Sequence, residues 1–388
     1  MAELVDALDS KSCDSNIVWV QVPLRPPNLQ QFWWNMKEKE LKKQGIKSLV
    51  MSISLFLLLF LLTFWLIFND QDMGAILDVA NDANILWIFA GLLLMVGYFL
   101  VQAWNVKSIL GSLGQKISLL KMFKFTLIEF FFCAMTPSAT GGQPLEIYYM
   151  SKEGISVPKA TMAIFVQLCG YQIAVMTLGI ISVLFLPVKL PPAVFMFFTI
   201  GLLINGVALL VLLSCVFLPK ITQIVGNAFI KFAHKLHLKK ADKMEEKLND
   251  SLAQYAENAT YIKRHKKEFL KAVGRVFAQV AVYYLVPFCV YKAFGFSEHN
   301  IFELFAMQSV LFIATAGFPI PGAVGLSESV FLSLYGTIFG LDIINSAMLL
   351  HRGITFYGFV IISMLIVLAN IVFLKIHERS PEKKAEKE

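Results

Sequence analysis

The sequence predicts an all-α polytopic membrane protein with six spanning helices and two re-entrant broken-helix hairpins, about eight membrane segments arranged as an inverted repeat. Three observations predict this fold. Of the 388 residues, 57% are hydrophobic and only 16% are charged, which is too apolar for a soluble domain. Several apolar windows are long enough to span a bilayer. Twice, a Pro/Gly-rich patch that ends in a glutamate interrupts an apolar stretch.

Residues 1–35 differ from the rest of the chain. They carry scattered acidic residues and a Pro-Pro pair, and they lack the basic start and apolar run of a secretory signal. The stretch resembles a peptide translated by mistake from a transfer RNA gene. We therefore expect residues 1–35 to be a spurious or disordered extension. A single transmembrane domain at 36–376 and a charged cytoplasmic tail at 377–388 would follow.

Six windows have the length of about 20 apolar residues that a spanning helix needs. They are 48–68, 84–103, 160–186, 193–218, 272–294 and 345–374. Basic residues precede the first window and follow the last, so both termini should be cytoplasmic and the number of crossings even. The predicted location is the plasma membrane, crossed several times.

The interrupted elements run from Thr136 to Glu146 and from Phe318 to Glu328, and in each the acid lies nine residues after the first proline. Lysines flank the first element and its arms are too short to cross, which predicts a hairpin that enters and returns on the cytoplasmic side. The second element, within 301–341, has no basic flank and should dip in from outside. The alternative that residues 301–341 cross the membrane twice is left open. The spans that bracket the two elements have opposite orientations, which gives the inverted repeat.

Residues 219–271 form a cytoplasmic connector with 12 Lys or Arg against six Asp or Glu. Apolar residues at helical spacing favour helices that lie on the anionic inner leaflet. A plain solvated connector fits the same pattern. The sequence leaves this choice open.

The two patches supply the candidate site. Glycine permits positive φ and close approach of a ligand, and proline prevents the helix from closing over a gap. Half-helices that restart after each patch would turn their N-termini toward a phosphate near the bilayer centre. The candidate substrate-binding residues are Pro137, Gly141, Gly142, Glu146, Pro319, Pro321, Gly322, Gly325, Glu328 and Arg352.

Charged residues inside apolar segments need a partner. Arg352 should lie roughly 10 Å below the outer surface, where Glu328 or a lipid phosphate would neutralise it. Glu146 and Glu328 either cap a helix dipole, contact an amine or hydroxyl of a lipid headgroup, or form a proton-linked gate. Arg275 is expected to extend to the inner headgroups, and Glu129 to pair with a neighbouring lysine.

Motifs of bond-breaking enzymes are missing from the sequence. It has no GxSxG, HExxH or Walker A motif, and its cysteines and histidines are scattered. We therefore expect no catalytic residue, no metal and no cofactor. No basic stretch interleaves stacking aromatics, which argues against nucleic acid as a partner. Transport or handling of lipids is favoured.

The pattern of Thr136–Glu146 and Pro319–Glu328, followed by Arg352, resembles the lysylphosphatidylglycerol synthetase/flippase transmembrane family, the membrane half of the bacterial multiple peptide resistance factor. The likeness covers roughly residues 45–375, and Ala323 stands where another glycine is expected. It implies a bacterial plasma-membrane flippase for phospholipids such as lysylphosphatidylglycerol, linked to antibiotic resistance. Its partners would be anionic or aminoacylated phospholipids, and homo-oligomer formation stays open.

The same resemblance implies an alternative, phosphatidylglycerol lysyltransferase activity or a membrane accessory of such an enzyme. In the full-length factor, a soluble C-terminal domain transfers lysine from lysyl-tRNA to phosphatidylglycerol. This chain ends at Glu388, a few residues past its last apolar window, so we expect no such domain and favour a transporter over an enzyme.

Overall fold

The structure is a computed structural model that describes residues 54, 58, 83–136, 139, 141–185, 190–218 and 241–370, without the side chains of 241–251 and 253. Within these ranges the protein is all-α and contains no strand. Six of the described helices are long and apolar enough to cross a membrane, which confirms the prediction of an all-α polytopic membrane protein. The predicted extension 1–35 and tail 377–388 lie outside the described residues, as does nearly all of the window 48–68.

Eleven helices make up the described part of the chain. They are α1 Ile85–Ser112, α2 Leu119–Met135, α3 Gly142–Lys152, α4 Val157–Phe185, α5 Pro192–Phe217, α6 Ala241–Arg264, α7 Lys266–Tyr284, α8 Val286–Ala293, α9 Ile301–Thr315, α10 Leu326–Phe339 and α11 Ile344–Asn370. A 3₁₀ turn at Pro321–Ala323 precedes α10, and a π-helical turn at Gly353–Tyr357 interrupts α11.

Polar side chains fix where several helices begin. Asn84 and Ser118 accept hydrogen bonds from backbone N–H groups in the first turns of α1 and α2. Asn300 and Glu303 form a reciprocal capping box at the start of α9. These caps satisfy N–H groups that a helix N-terminus leaves free, so each helix starts at a defined residue.

Five predicted windows correspond to α1, α4, α5, the pair α7 and α8, and α11. The sixth candidate span of the structure is Pro321–Phe339, which lies inside the second interrupted element of the sequence. It is not a regular helix throughout, because Gly322 and Gly325 have positive φ angles of 61° and 88°. The 14 residues of α10 form its regular part.

The helices enclose one apolar core and leave an apolar outer face. α1 packs against α2, α4, α7 and α8, while α9 packs against α4, α5 and α10. Phe195, Leu203 and Leu210 are exposed along α5. Large apolar side chains on an outer face are typical of a helix that contacts lipid.

Small residues allow the closest helix contacts. A Cβ atom added to Gly201 on α5 would lie 1.9 Å from the carbonyl oxygen of Ile313 on α9. Glycine at this point lets the two helices approach backbone to backbone, as is usual in membrane bundles where no hydrophobic effect drives helix association.

The C-terminal half of the predicted connector is a helix docked on the bundle. α6 packs against α4, and the hydroxyl of Tyr255 donates to the carbonyl oxygen of Cys215, 3.1 Å away. Ala259 and Ile262 are buried. The alternative of a plain solvated connector is therefore wrong for this half, whereas residues 219–240 lie outside the described range.

Candidate functional site

The first interrupted element is an antiparallel helical hairpin, formed by α2, the tip 136–141 and α3, and called the first hairpin below. At its base, Lys121 and Glu153 form an exposed ion pair of 2.6 Å. Further along, the rings of Phe125 and Tyr149 stack with centroids 5.7 Å apart. The two arms contain 17 and 11 residues, and these contacts place the start of α2 beside the end of α3.

The tip of the first hairpin is held by Thr136. Its hydroxyl donates to the carbonyl oxygen of Phe132 at 2.7 Å and accepts from the backbone N–H of Gly141 at 2.9 Å. A Cβ atom on Gly141 would lie 2.4 Å from the Thr136 methyl group. Pro137, also a candidate, lies outside the described residues. Among the described residues, Thr136 therefore links the end of α2 to the start of α3.

Gly142 brings the start of α3 against the middle of α2. A Cβ atom there would lie 2.3 Å from the backbone oxygen of Glu129 and 2.4 Å from the sulfur of Cys133. No side chain fits into this contact. The close approach places Glu146, one turn further along α3, beside Glu129.

Glu146 is completely buried, and neither of its carboxyl oxygens has a hydrogen-bond donor within the described part of the protein. Glu129 lies next to it and is itself 7% exposed. The helix α3 begins at Gly142, two residues before Pro144, and its first turn contains no acid. The interpretation of Glu146 as a cap of the helix dipole is therefore wrong, because it lies beyond the first turn.

The second interrupted element, called the second hairpin below, consists of α9, residues 316–325 and α10. Its arms pack together, and the hydroxyl of Tyr335 on α10 donates to the carbonyl oxygen of Leu304 on α9 at 3.3 Å. At the tip, Gly322 and Ala323 both have positive φ. A Cβ atom on Gly322 would lie 2.3 Å from the ring of Phe356, so glycine is required there by conformation and by space.

Glu328 is the centre of a compact ionic cluster at this tip. Its Oε1 accepts from Nε of Arg352 at 2.7 Å and from the hydroxyl of Tyr357 at 2.8 Å. Its Oε2 accepts from the backbone N–H of Gly325 at 2.7 Å and from the hydroxyl of Ser327. Glu328 therefore caps α10 and neutralises Arg352 at once.

Arg352 is held on several sides. Its Nη2 donates to the carbonyl oxygen of Gly322 at 3.1 Å, and its guanidinium lies 4.3 Å from the ring centroid of Phe356. The π-helical turn that follows Arg352 brings Phe356 and Tyr357 to the same side of the cluster. Such turns recur at functional sites because they re-aim side chains. The predicted pairing of Arg352 with Glu328 is thus present.

The two hairpins touch. The turn Pro321–Ala323 packs against α2, and the rings of Phe130 and Phe356 lie 6.1 Å apart. The structure joins Gly322, Gly325 and Arg352 to Glu328 in one cluster, with Pro319 and Pro321 shaping the turn before it. Gly141 and Gly142 lie with Glu146 in the first hairpin.

Two expectations for charged residues need correction. Arg275 does not simply extend to headgroups, because its Nε donates to Asn105 at 2.7 Å inside the bundle and its guanidinium stacks on Trp104. Glu129 pairs with no neighbouring lysine, since Gln102 donates to it at 2.7 Å. Lys121 binds Glu153 instead.

Several polar residues of the site, above all Tyr357 and Gln102, are not among the residues predicted from the sequence. A signal for them existed, because a polar amide or hydroxyl within an apolar window is costly unless it has a buried partner. Gln102, Gln167 and Gln279 all stand in such windows. In the described residues no cluster of three potential metal ligands occurs.

These features define a polytopic α-helical membrane protein whose polar site lies at two helix breaks. Residues 50–363 match the family model described as lysylphosphatidylglycerol synthase TM region, so the chain belongs to that family, as the sequence predicted. It is also similar to a protein of Archaeoglobus fulgidus named UPF0104 membrane protein, with 22% identity over 310 residues that cover 75% of this chain and 89% of the relative.

Proposed function

We propose that this protein is a lipid flippase or lipid transporter that moves phospholipids such as lysylphosphatidylglycerol between the leaflets of a bacterial plasma membrane. One observation carries the proposal, the contact between the two hairpins inside an apolar bundle. The second hairpin brings Glu328, which pairs with Arg352 of α11, and the first hairpin brings Glu146, which has no donor among the described residues. Buried ionisable groups in membrane helices mark substrate or ion pathways by default.

The chemistry of the two tips suits the two ends of a phospholipid headgroup. Arg352 is a donor-only cation that recognises phosphate oxygens, and it could exchange Glu328 for a lipid phosphate. Glu146 is an acceptor that would receive the ammonium of an aminoacylated headgroup. Because Glu328 already occupies the N-terminus of α10, we assign phosphate binding to Arg352 rather than to the backbone of that helix.

Lipid translocation in liposomes tests the proposal. Purified protein is reconstituted with fluorescent phosphatidylglycerol, and bleaching of the label by dithionite from outside reports movement between leaflets. Wild-type protein should accelerate the movement. Glu146→Gln and Arg352→Lys should each slow it about tenfold or more, since each weakens a charged contact worth roughly 1.5–3 kcal/mol. The matched control is Lys121→Ala, which removes an exposed charge at the hairpin base.

Two results would count against the proposal in different ways. Wild-type liposomes that translocate no faster than protein-free liposomes would remove the transport function. Unchanged rates in both site variants would remove the residue assignments alone. Incubation with labelled lysyl-tRNA and phosphatidylglycerol covers the alternative, because a labelled lipid product would identify a lysyltransferase.

The proposal includes the membrane orientation. The first hairpin opens to the cytoplasm and the second to the outside, as an inverted repeat within one domain at 36–376 with cytoplasmic termini. In a cysteine-free background, Glu298→Cys before α9 should react with an impermeant maleimide in intact cells. Glu153→Cys after α3 should react only in opened cells. The reverse labelling would contradict this orientation.

A further inference from the structure

A continuous series of hydrogen-bonded polar side chains runs across the helix bundle and ends at the first hairpin. We call it the amide chain. In order from donor to acceptor its members are Arg275, Asn105, Gln167, Gln279, Gln102 and Glu129. The five links measure between 2.5 and 3.1 Å. They join α1 to α2, α4 and α7, each of which packs against α1.

The direction of the amide chain is fixed by its first member. A guanidinium only donates, so Asn105 must accept from Arg275 with its oxygen and can pass on only its amide N–H. The same holds for each following amide, because an amide that accepts with its oxygen donates with its nitrogen. Gln102 therefore presents an N–H to Oε2 of Glu129. That oxygen is an acceptor and carries no proton.

Glu146 lies next to the carboxyl group of Glu129 but, unlike Glu129, it has no hydrogen-bond donor among the described residues. It is fully buried, interacts with Glu129, and receives no donor on either oxygen. Two carboxyl groups that share a buried site are not both ionised, because neither desolvation nor mutual repulsion is compensated. A proton on Glu146 removes one charge and supplies a donor toward Glu129.

The described residues around the pair supply no positive charge. The titratable groups that face the pair are Cys133 on α2 and Tyr98 on α1, both of which are neutral donors or acceptors. The helices α4 and α7 contribute Gln167 and Gln279, which are linked to Glu129 through Gln102. Among the described residues, no lysine, arginine or histidine interacts with either carboxyl group. Lys124 is engaged with Asn370.

We infer that Glu129 and Glu146 together form a proton-binding site, in which Glu146 carries the proton and the amide chain holds Glu129 as the acceptor. The site differs from the cluster at Glu328, where Arg352 supplies the positive charge. Proton binding does not depend on the proposed function. Only its use rests on that function, because a cationic headgroup that reaches Glu146 would displace the proton and so couple lipid movement to proton release.

Infrared spectroscopy of the reconstituted full chain tests proton binding directly. A protonated carboxylic acid has a carbonyl band apart from those of carboxylates, and the band shifts in heavy water. At neutral pH the wild-type protein should show this band and Glu146→Gln should lack it. Glu146→Gln is the matched variant because its amide can donate to Glu129 in place of the proton, so the hairpin keeps its fold.

Each outcome decides the matter. A difference spectrum between wild type and Glu146→Gln without this band at neutral pH would refute a proton on Glu146. A band that persists unchanged in the variant would refute it as well. A band that sodium chloride removes at constant pH supports the bound proton and shows that Na⁺ can displace it from the same site. Raising the pH should remove the wild-type band. In Gln279→Leu, which cuts the amide chain, the pH at which the band disappears should change, a shift that a purely structural role would not produce.

Carbodiimide labelling gives an independent readout with an internal control. Dicyclohexylcarbodiimide enters membranes and adds to protonated carboxyl groups. Peptide mass spectrometry should find the adduct on Glu146 and not on Glu328, although both are buried. Equal labelling of the two acids would contradict the inference. Lipid translocation is not measured in either experiment, so a failure here is distinct from a failure of the transport proposal.

Discussion

Removal of Arg352 should destabilise the protein more than removal of any exposed charge. In Arg352→Met, Glu328 keeps the hydrogen bonds from Tyr357, Gly325 and Ser327 but loses its only cation among the described residues. Loss of one partner of a buried ion pair costs about 3–5 kcal/mol of unfolding free energy. The cost arises mainly from the uncompensated charge that remains.

A double-mutant cycle separates this effect from lost packing. Glu328→Gln alone leaves Arg352 with the carbonyl oxygen of Gly322 and the ring of Phe356, and it should also destabilise. The double variant leaves no charge in this cluster. Its loss should be smaller than the sum of the two single losses by about 1–3 kcal/mol. The free energies come from reversible unfolding in mixed micelles with rising dodecyl sulfate, followed by circular dichroism. Additive losses would refute a direct ionic coupling.

Three further perturbations probe other contacts. Gly142→Ala should separate α3 from α2 and lower stability by several kcal/mol, because the added Cβ atom would lie 2.3 Å from the backbone oxygen of Glu129. The control is Gly274→Ala on α7, where an added Cβ atom meets nothing within 4 Å and stability should not change. Equal melting temperatures of the two variants would contradict this contact. Lys121→Ala should change stability by less than about 1 kcal/mol, since its ion pair with Glu153 is exposed, and a larger loss in the same unfolding assay would show a tighter pair. Gln279→Leu should cost about 2–5 kcal/mol because it strips two buried amides of their partners; a neutral result would contradict the amide chain.

The broken elements were predictable because their causes are local. Pro319 and Pro321 cannot continue a helix, and Gly322 and Gly325 supply positive φ within the same short stretch. Glu328 was one of the two partners that the sequence predicts for Arg352, because a deep arginine needs an acid or an anionic ligand. Both inferences need only the sequence and the cost of burial.

The first hairpin shows what sequence reasoning could not supply. One of the alternatives for Glu146, that it caps α3, is wrong because the helix begins at Gly142, which fits against Glu129 on α2. This fit depends on the path of the tip and on the packing of two helices, neither of which leaves a local signal. The amide chain escaped for the same reason, since its members come from four helices that are distant in sequence.

A photoactivatable phospholipid tests most directly whether the two hairpins hold a lipid headgroup. The reagent carries a diazirine on its headgroup and is added to the protein in nanodiscs, followed by illumination and peptide mapping. We predict adducts on peptides that contain Glu146 and on peptides that contain Arg352, with none on the lipid-facing middle of α5 around Leu203. Adducts confined to the ends of helices and loops, with both hairpins unlabelled, would contradict a headgroup site between them.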